Sequence, residues 1–293
     1  MDFEMLNHEE MVSIVIVTYN SADFIEETLD SCLKQTYSNI EIIVSDDNSA
    51  DNTVNCCKQW NEKNNSQVKF KVITSELRAG IPANCNRGAM ASSGSWIKFL
   101  GADDLLEATA IEDLMASRKS NTGIVFSRFE TFGENVSTEV FPYSFTWNLI
   151  KNKSEQNSKY SDWLFLLGFS NVAPGVMISR ETFDKYHGYD ESYYLLEDLP
   201  LWYKLFSNNE CISYCSVITV KYRIHQNQVT SSGISELLKK DLLKFNVSVR
   251  KRYKAPYVHN LIQIIANSNK RLRFLKYIDL FQWYISLYNR LCK

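Results

Sequence analysis

Apolar residues in the first 130 positions fall in short, nearly continuous runs, and between these runs they recur with a helical spacing. The runs are rich in Val and Ile and lie at residues 12–18, 40–45, 68–74, 96–100 and 124–127. Such runs are typical of strands that are buried on both faces of a parallel sheet. Helical spacing follows from Ala22, after Asp46 and from Pro82. Because strand and helix alternate, the pattern predicts an α/β fold with right-handed crossovers.

The second half of the chain has a less regular pattern. The elements predicted there are an irregular polar loop at 130–160, a strand at 176–179, a helix at 199–206 and two short strands at 212–222. From Ile234 onward the spacing is helical and the polar residues are mainly basic. We therefore expect one α/β domain over residues 1–232 and a basic helical extension over residues 233–293.

Three polar clusters stand where predicted strands end. They are Thr18-Tyr19-Asn20, Asp46-Asp47 and Asp103-Asp104. In open α/β sheets, ligands bind outside the carboxyl ends of the strands. The clusters are therefore expected to converge on one edge of the sheet and to form a binding site. The same residues also suit turns and helix caps, and for any one of them alone that structural interpretation is equally natural.

Charge is distributed unevenly along the chain. The net charge of −2 gives no reason to expect nucleic-acid binding, but residues 235–293 carry 13 Lys and Arg against 3 Asp and Glu. Their apolar residues are interleaved with these basic residues, as in helices that lie on an anionic membrane surface. A solvated helical appendage or a dimer contact would have the same composition. We expect peripheral membrane binding through these helices.

Cysteine usage and the chain start favour a cytoplasmic protein. The seven Cys residues include no CxxC pair, so we expect reduced thiols rather than a disulfide framework or a zinc site. The first ten residues are acidic and have no continuous apolar stretch of the kind found in signal peptides. The expected location is the cytoplasm, with attachment at the inner face of the cell membrane.

Four segments of the chain resemble the inverting glycosyltransferases of family 2. They are VSIVIVTYNSADFIEETLDSCLKQTYSNIEIIVSDDNSADNT, ELRAGIPANCNRGAMASSGSWIKFLGADD, PGVMISRETFDKYHGYDESYYLLEDLPLWYKL and VKYRIHQNQVTSS. Together they span residues 11–232, and their order and spacing make the resemblance specific. It implies the GT-A fold, a Rossmann-type mixed sheet flanked by helices. It also implies transfer of a hexosyl or N-acetylhexosaminyl group from a nucleotide-diphosphate sugar, UDP-sugar in particular, to an acceptor hydroxyl.

The resemblance assigns a donor site and a metal site to particular residues. The residues implied to bind the nucleotide sugar are Thr18, Tyr19, Asn20, Asp46, Asp47, Arg78, Gly80, Asn86, Asp103 and Arg223. The implied ligands of Mn²⁺ or Mg²⁺ are Asp103, Asp104 and His225, and such hard ions prefer oxygen ligands. Gly101 stands where the family often has an additional Asp, so the role of that carboxylate is missing here.

The Glu197-Asp198 pair is implied to carry the catalysis. By resemblance, Asp198 is the general base that deprotonates the acceptor hydroxyl, and Glu197 orients the acceptor. Helix-start carboxylates that complement the helix dipole are the structural alternative. Trp163, Trp202, Tyr193 and Tyr194 are candidates for stacking on sugars, although most aromatic residues are expected to fill the core.

Two other classes of protein stay open, a nucleotidyltransferase and a non-catalytic binding module. A nucleotidyltransferase would carry a Gly-rich loop with Arg or Lys after the first strand, and residues 17–21 offer none. The GxGxxG motif of a dehydrogenase is also absent there. The second alternative is a membrane-associated module that binds nucleotides or glycans without catalysis, and Gly101 gives it some support. By analogy, the expected acceptor is a lipid-linked oligosaccharide of bacterial surface polysaccharide (O-antigen) synthesis.

Overall fold

The computed structural model describes residues 10–64, 68–134, 136–141, 173–208, 210–226 and 235–252. The strands are β1 (Val12–Thr18), β2 (Ile40–Asp46), β3 (Lys69–Thr74), β4 (Trp96–Gly101), β5 (Leu105–Leu106), β6 (Ile124–Phe132), β7 (Val140–Phe141), β8 (Val176–Ser179) and β9 (Ile212–Arg223). The α-helices are α1 (Ile25–Leu33), α2 (Thr53–Asn64), α3 (Ile81–Met90), α4 (Ala110–Ala116), α5 (Arg180–Lys185), α6 (Asp198–Ser207) and α7 (Glu236–Arg252).

The strands form one mixed sheet in the order β3-β2-β1-β4-β8-β6-β9-β5, and β7 pairs with β6. Strands β1 to β4 are mutually parallel, β8 runs antiparallel to β4 and β6, and β9 runs parallel to β6. Because β1, β2 and β4 are neighbours, their carboxyl ends lie side by side at one edge. The predicted α/β fold is confirmed, and so is the convergence of the three polar clusters.

Two hydrophobic cores cover the two faces of the sheet. Successive residues of β1 point to opposite faces, so Ile14 and Ile16 belong to one core and Val15 belongs to the other. The core that contains Val15 also holds Trp202 of α6, which is 1% exposed and packs edge-on against Phe126. This packing fixes α6, and hence the Glu197-Asp198 pair at its start, against the middle of the sheet.

Helix α7 packs on the core that contains α6. Phe245 is buried there, 6.0 Å from the ring of Tyr203, and Leu238 and Leu242 pack alongside. The first helix of the predicted extension is thus in contact with the α/β domain. The boundary at residue 232 stays a prediction, and residues 253–293 lie outside the described part of the chain.

Three details of the predicted elements were wrong. The predicted two strands at 212–222 are one twelve-residue strand, β9 (Ile212–Arg223), because the chain follows β6 through irregular register near Arg128 instead of turning back. Strand β6 continues five residues beyond Ser127 for the same reason, since β9 pairs with it to Phe132. The predicted loop at 130–160 therefore begins inside a strand, and residues 142–160 of it lie outside the described residues.

Candidate active site

The end of β1 joins the end of β2 through hydrogen bonds between their turns. The backbone N–H of Asp47 donates to the carbonyl oxygen of Thr18 at 3.0 Å. Asn20 has a positive φ of 51°, a conformation that Asn tolerates better than most residues. Its side-chain oxygen accepts a hydrogen bond from the N–H of Ala50, and its own N–H donates to Ser49 Oγ, each at 2.8 Å. Thr18 and Asn20 thus fix the shape of the edge.

The two carboxylates after β2 make different contacts. Asp46 is 1% exposed, and both of its carboxylate oxygens accept hydrogen bonds from Ser49, one from the backbone N–H at 2.9 Å and one from the hydroxyl. Asp47 is 3% exposed and accepts hydrogen bonds from the N–H groups of Ala79 and Gly80. Asp46 therefore closes its own turn, whereas Asp47 anchors the loop before α3.

The loop that Asp47 anchors carries Arg78 to the exposed rim of the edge. The Arg78 guanidinium carbon lies 3.7 Å from the ring centroid of Tyr19, which is 38% exposed, and 5.9 Å from that of Tyr194. Gly80 adopts a φ of 93°, and a Cβ there would collide with the backbone of Tyr194. Gly80 is thus required by both its backbone conformation and its close packing.

Helix α3 supports this loop with Asn84 and Arg87, and it supports a different segment with Asn86. Asn84 is buried, and its side-chain oxygen accepts hydrogen bonds from Ser45 Oγ and Arg87. Arg87 also pairs with Asp47 at 3.3 Å. Asn86 faces the other way, donating to the carbonyl oxygen of Tyr189 and accepting from its N–H. Asn86 therefore holds the segment that leads to Glu197 instead of facing the open edge.

Asp103 and His225 meet above the end of β4. The Oδ2 atom of Asp103 lies 2.9 Å from Nε2 of His225, and both side chains are partly exposed. The His225 ring also packs against the ring of Phe24 in a tilted arrangement, with 4.7 Å between the ring centroids, and this contact restricts the orientation of the imidazole. A carboxylate oxygen and an imidazole nitrogen thus face the same space.

Gly101 leaves room for two carboxylates. A Cβ placed on Gly101 would lie 2.8 Å from Oδ1 of Asp103 and 3.0 Å from Oδ2 of Asp104, so both oxygens point into the space that a side chain would fill. Burial and the neighbouring Asp103 charge raise the pKa of Asp104 well above its ordinary value. Among the described residues, no three His, Cys, Asp or Glu side chains form a complete metal site. Carboxylate oxygens are the ligand type that Mn²⁺ and Mg²⁺ prefer, so Asp103 and Asp104 beside His225 supply suitable ligand atoms, to which substrate oxygens would have to be added.

Arg223 and Thr28 hold the turn that carries these carboxylates. Arg223 donates from Nε to the carbonyl oxygen of Asp103 at 2.7 Å and from its backbone N–H to Asp104 Oδ1 at 3.0 Å. Its guanidinium also pairs with Glu27 at 2.5 Å. The hydroxyl of Thr28 lies within 2.9 Å of the carbonyl oxygens of Ala102 and Asp104. The observed contacts of Arg223 therefore position the candidate metal ligands.

Lys98 lies in the middle of β4 and is completely buried. Its Nζ donates hydrogen bonds to the carbonyl oxygens of Phe99, at 3.0 Å, and Pro174. Burial lowers the pKa of Lys98 to about 7, although the nearby Asp104 charge opposes this shift. The sequence interpretation missed Lys98, and a lone Lys inside the apolar run 96–100 is the signal that could have identified it.

Asp198 begins α6 in a buried position, and Glu197, directly before it, is partly buried. Asp198 is 8% exposed, and its Oδ1 atom accepts a hydrogen bond from the N–H of Leu199 at 2.6 Å. Burial raises the pKa of Asp198 to about 6. Burial and the Asp198 charge raise the pKa of Glu197 further, to about 8. The pair therefore prefers to hold one proton near neutral pH, and a carboxylate with a raised pKa is suited to general base catalysis.

The segment before Glu197 connects the two halves of the site. The carbonyl oxygen of Tyr194 accepts a hydrogen bond from the N–H of Ile81 at 2.9 Å, directly after Gly80. The nearby Glu197 charge contributes to the raised pKa of the Cys85 thiol in α3, although burial contributes more. The structure thus places Glu197-Asp198 beside α3 and beside the loop that Asp47 anchors.

The candidate sugar-stacking aromatics separate into different groups. Trp202 and Tyr193 are buried, as expected for core residues, whereas Tyr194 is partly exposed beside Arg78. Trp163 lies outside the described residues. Among the three described candidates, Tyr194 is the one that lies at the rim of the site.

Comparison with known proteins defines the class. A solved structure of a fragment of S. aureus TarS in complex with UDP-GlcNAc has the same fold, with a TM-score of 0.61 and 18% sequence identity. That match covers 82% of this chain and 66% of the TarS chain. The family model described as glycosyl transferase family 2 matches residues 13–185. The fold is that of the GT-A glycosyltransferases. Because the model matches more than half of the chain, the chain belongs to glycosyl transferase family 2, and the protein is a glycosyltransferase.

Two Escherichia coli relatives cover most of the chain. The protein named UDP-Glc:alpha-D-GlcNAc-diphosphoundecaprenol beta-1,3-glucosyltransferase WfgD is 28% identical over 233 residues, which are 78% of this chain and 82% of WfgD. WfaP, whose name states the same activity, is 26% identical over 248 residues, which are 84% of this chain and 90% of WfaP. Among the classes that the sequence left open, these relatives favour the glycosyltransferase.

Proposed function

We propose that the protein transfers a hexosyl or N-acetylhexosaminyl group from a UDP-sugar to a hydroxyl of a lipid-linked sugar, with inversion at the anomeric carbon. The observation that carries this proposal is the hydrogen bond between Tyr194 and Ile81, because it joins the segment of the candidate base to the loop of the candidate donor site. The names of WfgD and WfaP, which state a UDP-Glc donor and a diphosphoundecaprenol-linked acceptor, support the substrate classes.

The donor nucleotide is proposed to bind at the ends of β1 and β2. Tyr19 and the stacked Arg78 form an exposed planar surface on which a base can pack, and Arg78 brings positive charge toward the diphosphate. Asp46 accepts a hydrogen bond from the imide N–H of uracil once Ser49 releases one of its carboxylate oxygens. Asp47 and Gly80 hold the loop that shapes the pocket, and Thr18 and Asn20 line it.

A divalent ion, Mn²⁺ or Mg²⁺, is proposed to bind at Asp103, Asp104 and His225. When bound, the ion supplies positive charge that neutralises the diphosphate leaving group. The chain supplies the geometry, since Arg223 and Thr28 fix the turn and Gly101 leaves open the space into which both carboxylates point. The guanidinium of Arg223 adds positive charge on the same side.

Asp198 is proposed to act as the general base. Its carboxylate takes the proton of the acceptor hydroxyl while the acceptor oxygen forms a bond to the anomeric carbon. The bond from that carbon to the diphosphate oxygen breaks, and the nucleoside diphosphate leaves with the electron pair. The raised pKa of Asp198 makes it a stronger base than an exposed aspartate. Glu197, which holds a proton near neutral pH, orients the acceptor by hydrogen bonding.

A lipid-linked acceptor requires the protein to act at a membrane surface. The excess of Lys and Arg in residues 235–293 supports binding to such a surface. In the described part of these residues, Leu237 and Leu243 are 49% and 40% exposed and lie on α7 beside exposed Lys239 and Lys240. No helix in the described ranges is both long and apolar enough to cross a bilayer. We propose peripheral binding to anionic lipid through the basic helices.

A thermal-shift panel of nucleoside diphosphates and sugar nucleotides, with and without Mn²⁺, tests the donor and metal proposals. A ligand that binds the folded state raises its stability by mass action. We expect UDP or one UDP-sugar to raise the melting temperature, and Mn²⁺ to enlarge that shift. The absence of a shift with every nucleotide, for a protein shown to be folded, would contradict the proposal.

Vesicle sedimentation tests the membrane proposal with the full chain. We expect binding to vesicles that contain anionic phospholipid, weakening as salt is raised, and no binding to purely zwitterionic vesicles. The double variant Lys239→Gln/Lys240→Gln should bind less, with Lys34→Gln/Lys58→Gln as a control of equal charge change. Equal binding by both double variants would show that these α7 lysines do not contribute.

A further inference from the structure

One of the two acidic residues of α7 is buried, in a helix whose charged residues are mainly basic. Asp241 is 8% exposed, and its neighbours along the helix include Lys239, Lys240 and Lys244. A buried carboxylate is costly unless hydrogen bonds compensate for the lost hydration. Its contacts therefore indicate why this position carries an acid.

The Asp241 carboxylate binds the backbone just before the catalytic pair. Its Oδ2 atom accepts hydrogen bonds from the N–H of Tyr194 at 2.8 Å and from the N–H of Leu195 at 2.7 Å. Leu195 stands two residues before Glu197 and is itself buried. The carboxylate thus satisfies two consecutive amides of an irregular segment that has no sheet partner to satisfy them.

The same segment is held from its other side by the donor loop. The Tyr194 carbonyl oxygen accepts from the N–H of Ile81, and the preceding Gly80 donates its own N–H to Asp47 at 2.8 Å. A continuous chain of hydrogen bonds therefore runs from α7 through Tyr194 to the donor-side carboxylate Asp47. Helix α7 itself is fixed by Phe245 in the core.

We propose that Asp241 is a positioning residue for the transfer reaction, which holds the 193–195 backbone so that Glu197 and Asp198 face the donor site. This inference rests on the proposed role of Asp198 as the base. The consequence is that α7 is part of the catalytic machinery, although it lies in the predicted extension and beyond residues 13–185, which the family model matches. Displacement of a catalytic group by about 1 Å can lower the rate roughly 100-fold.

The test compares kcat and donor KM for variants of Asp241 in the full chain, assayed with a UDP-sugar and a lipid-linked acceptor. Asp241→Ala and Asp241→Leu both remove the acceptor oxygens, and Leu preserves the volume if Ala does not fold. We expect kcat to fall about 10- to 100-fold with donor KM changed less than threefold. Asp241→Asn, which keeps an acceptor oxygen, should restore kcat to within about threefold of the wild type.

Glu41 provides the matched control. It is a buried carboxylate whose Oε1 atom accepts from the N–H groups of Ser93 and Gly94 at the opposite end of the sheet. Glu41→Ala should lower the melting temperature about as much as Asp241→Ala does. It should leave kcat within about twofold of the wild type, because Glu41 lies at the start of β2, far from the carboxyl ends of the strands.

The outcomes separate this inference from the proposed function. If the folded Asp241 variants lose no more kcat than Glu41→Ala does, Asp241 is only a structural residue and the inference is overturned. If Asp198→Asn abolishes transfer while the Asp241 variants remain fully active, the inference alone fails. If Asp198→Asn itself retains the wild-type kcat, the proposed role of Asp198 fails instead.

Discussion

Asp103 and His225 are 122 positions apart in the chain, yet the carboxylate of the first lies 2.9 Å from the imidazole of the second. Asp103 lies in the turn after β4 and His225 follows β9, and the side chain of Arg223 ties the two backbones together. The pair stands beside the space above Gly101 into which Asp104 also points. This arrangement is the structural basis for placing the divalent ion and the diphosphate at this corner.

Removal of either member of the pair should weaken metal-dependent activity. Asp103→Asn and His225→Ala each remove one proposed ligand, so we expect the Mn²⁺ concentration for half-maximal activity to rise at least about tenfold. A metal titration at fixed UDP-sugar measures this. Asp184→Asn, an exposed acid on α5, is the control and should leave the titration unchanged. A metal dependence identical to the wild type in both variants would remove Asp103 and His225 from the ligand set.

A side chain at Gly101 should disturb the same site. The Cβ of Gly101→Ala would lie 2.8 Å from Asp103 and 3.0 Å from Asp104, so the carboxylates must move apart. We expect weaker metal binding and about a tenfold loss of kcat/KM with little change in melting temperature, because both carboxylate ends can rotate. The same metal titration provides the readout. Full activity of Gly101→Ala would contradict a metal site that needs the Asp103 and Asp104 carboxylates in their present positions.

The pH dependence should report the buried base. Because burial raises the pKa of Asp198 to about 6, the fraction of carboxylate, and with it kcat/KM, should rise as pH increases through about 6. An exposed aspartate, with a pKa near 3.9, would already be ionised at pH 5. A pH profile between 4.5 and 8, with folding checked by circular dichroism, measures the midpoint. An acid limb centred near pH 4 would contradict the role of Asp198.

Lys98 should make stability depend on pH. The pKa of Lys98 is about 7 in the folded protein, below the ordinary value of 10.5. As pH falls, the Lys98 amine therefore takes up its proton at a higher pH in the unfolded chain than in the folded protein. The free energy of unfolding is therefore highest above pH 10.5, where the amine is neutral in both states, and it falls as the pH is lowered from 10.5 to 7. The unfolding free energy of the wild type minus that of Lys98→Met should therefore increase with pH over this window, by up to about 1.4 kcal/mol per pH unit. Denaturant unfolding at several pH values measures it, and a flat difference would refute the shift.

The alternation of apolar runs was sufficient to predict the parallel strands β1 to β4 and the edge that carries the site. Parallel strands are easily recognised in the sequence because both of their faces are buried, which gives a nearly continuous apolar run such as Val12–Thr18. Strand β9 was misread as two strands because half-buried, irregularly paired strands mix polar and apolar residues without a clean period.

The contacts within the site could not be predicted from the sequence. The anchoring roles of Asp47 and Asn86 depend on which way neighbouring side chains point, and no local pattern encodes that. Lys98 is a single charged residue in an apolar strand, and Asp241 is a single acid among the lysines of α7. Each residue departs from the pattern of its own element, and that departure alone does not show which distant residues it contacts.

The role of Asp198 is tested most directly by a transfer assay that compares the wild type with Asp198→Asn, using a UDP-sugar, Mn²⁺ and a diphosphoundecaprenol-linked GlcNAc acceptor. We expect the variant to bind UDP with wild-type affinity but to transfer sugar at least about 100-fold more slowly, because only the proton acceptor has been removed. Transfer by Asp198→Asn at the wild-type rate would contradict the assignment of the base and, with it, the proposed arrangement of donor and acceptor at this edge of the sheet.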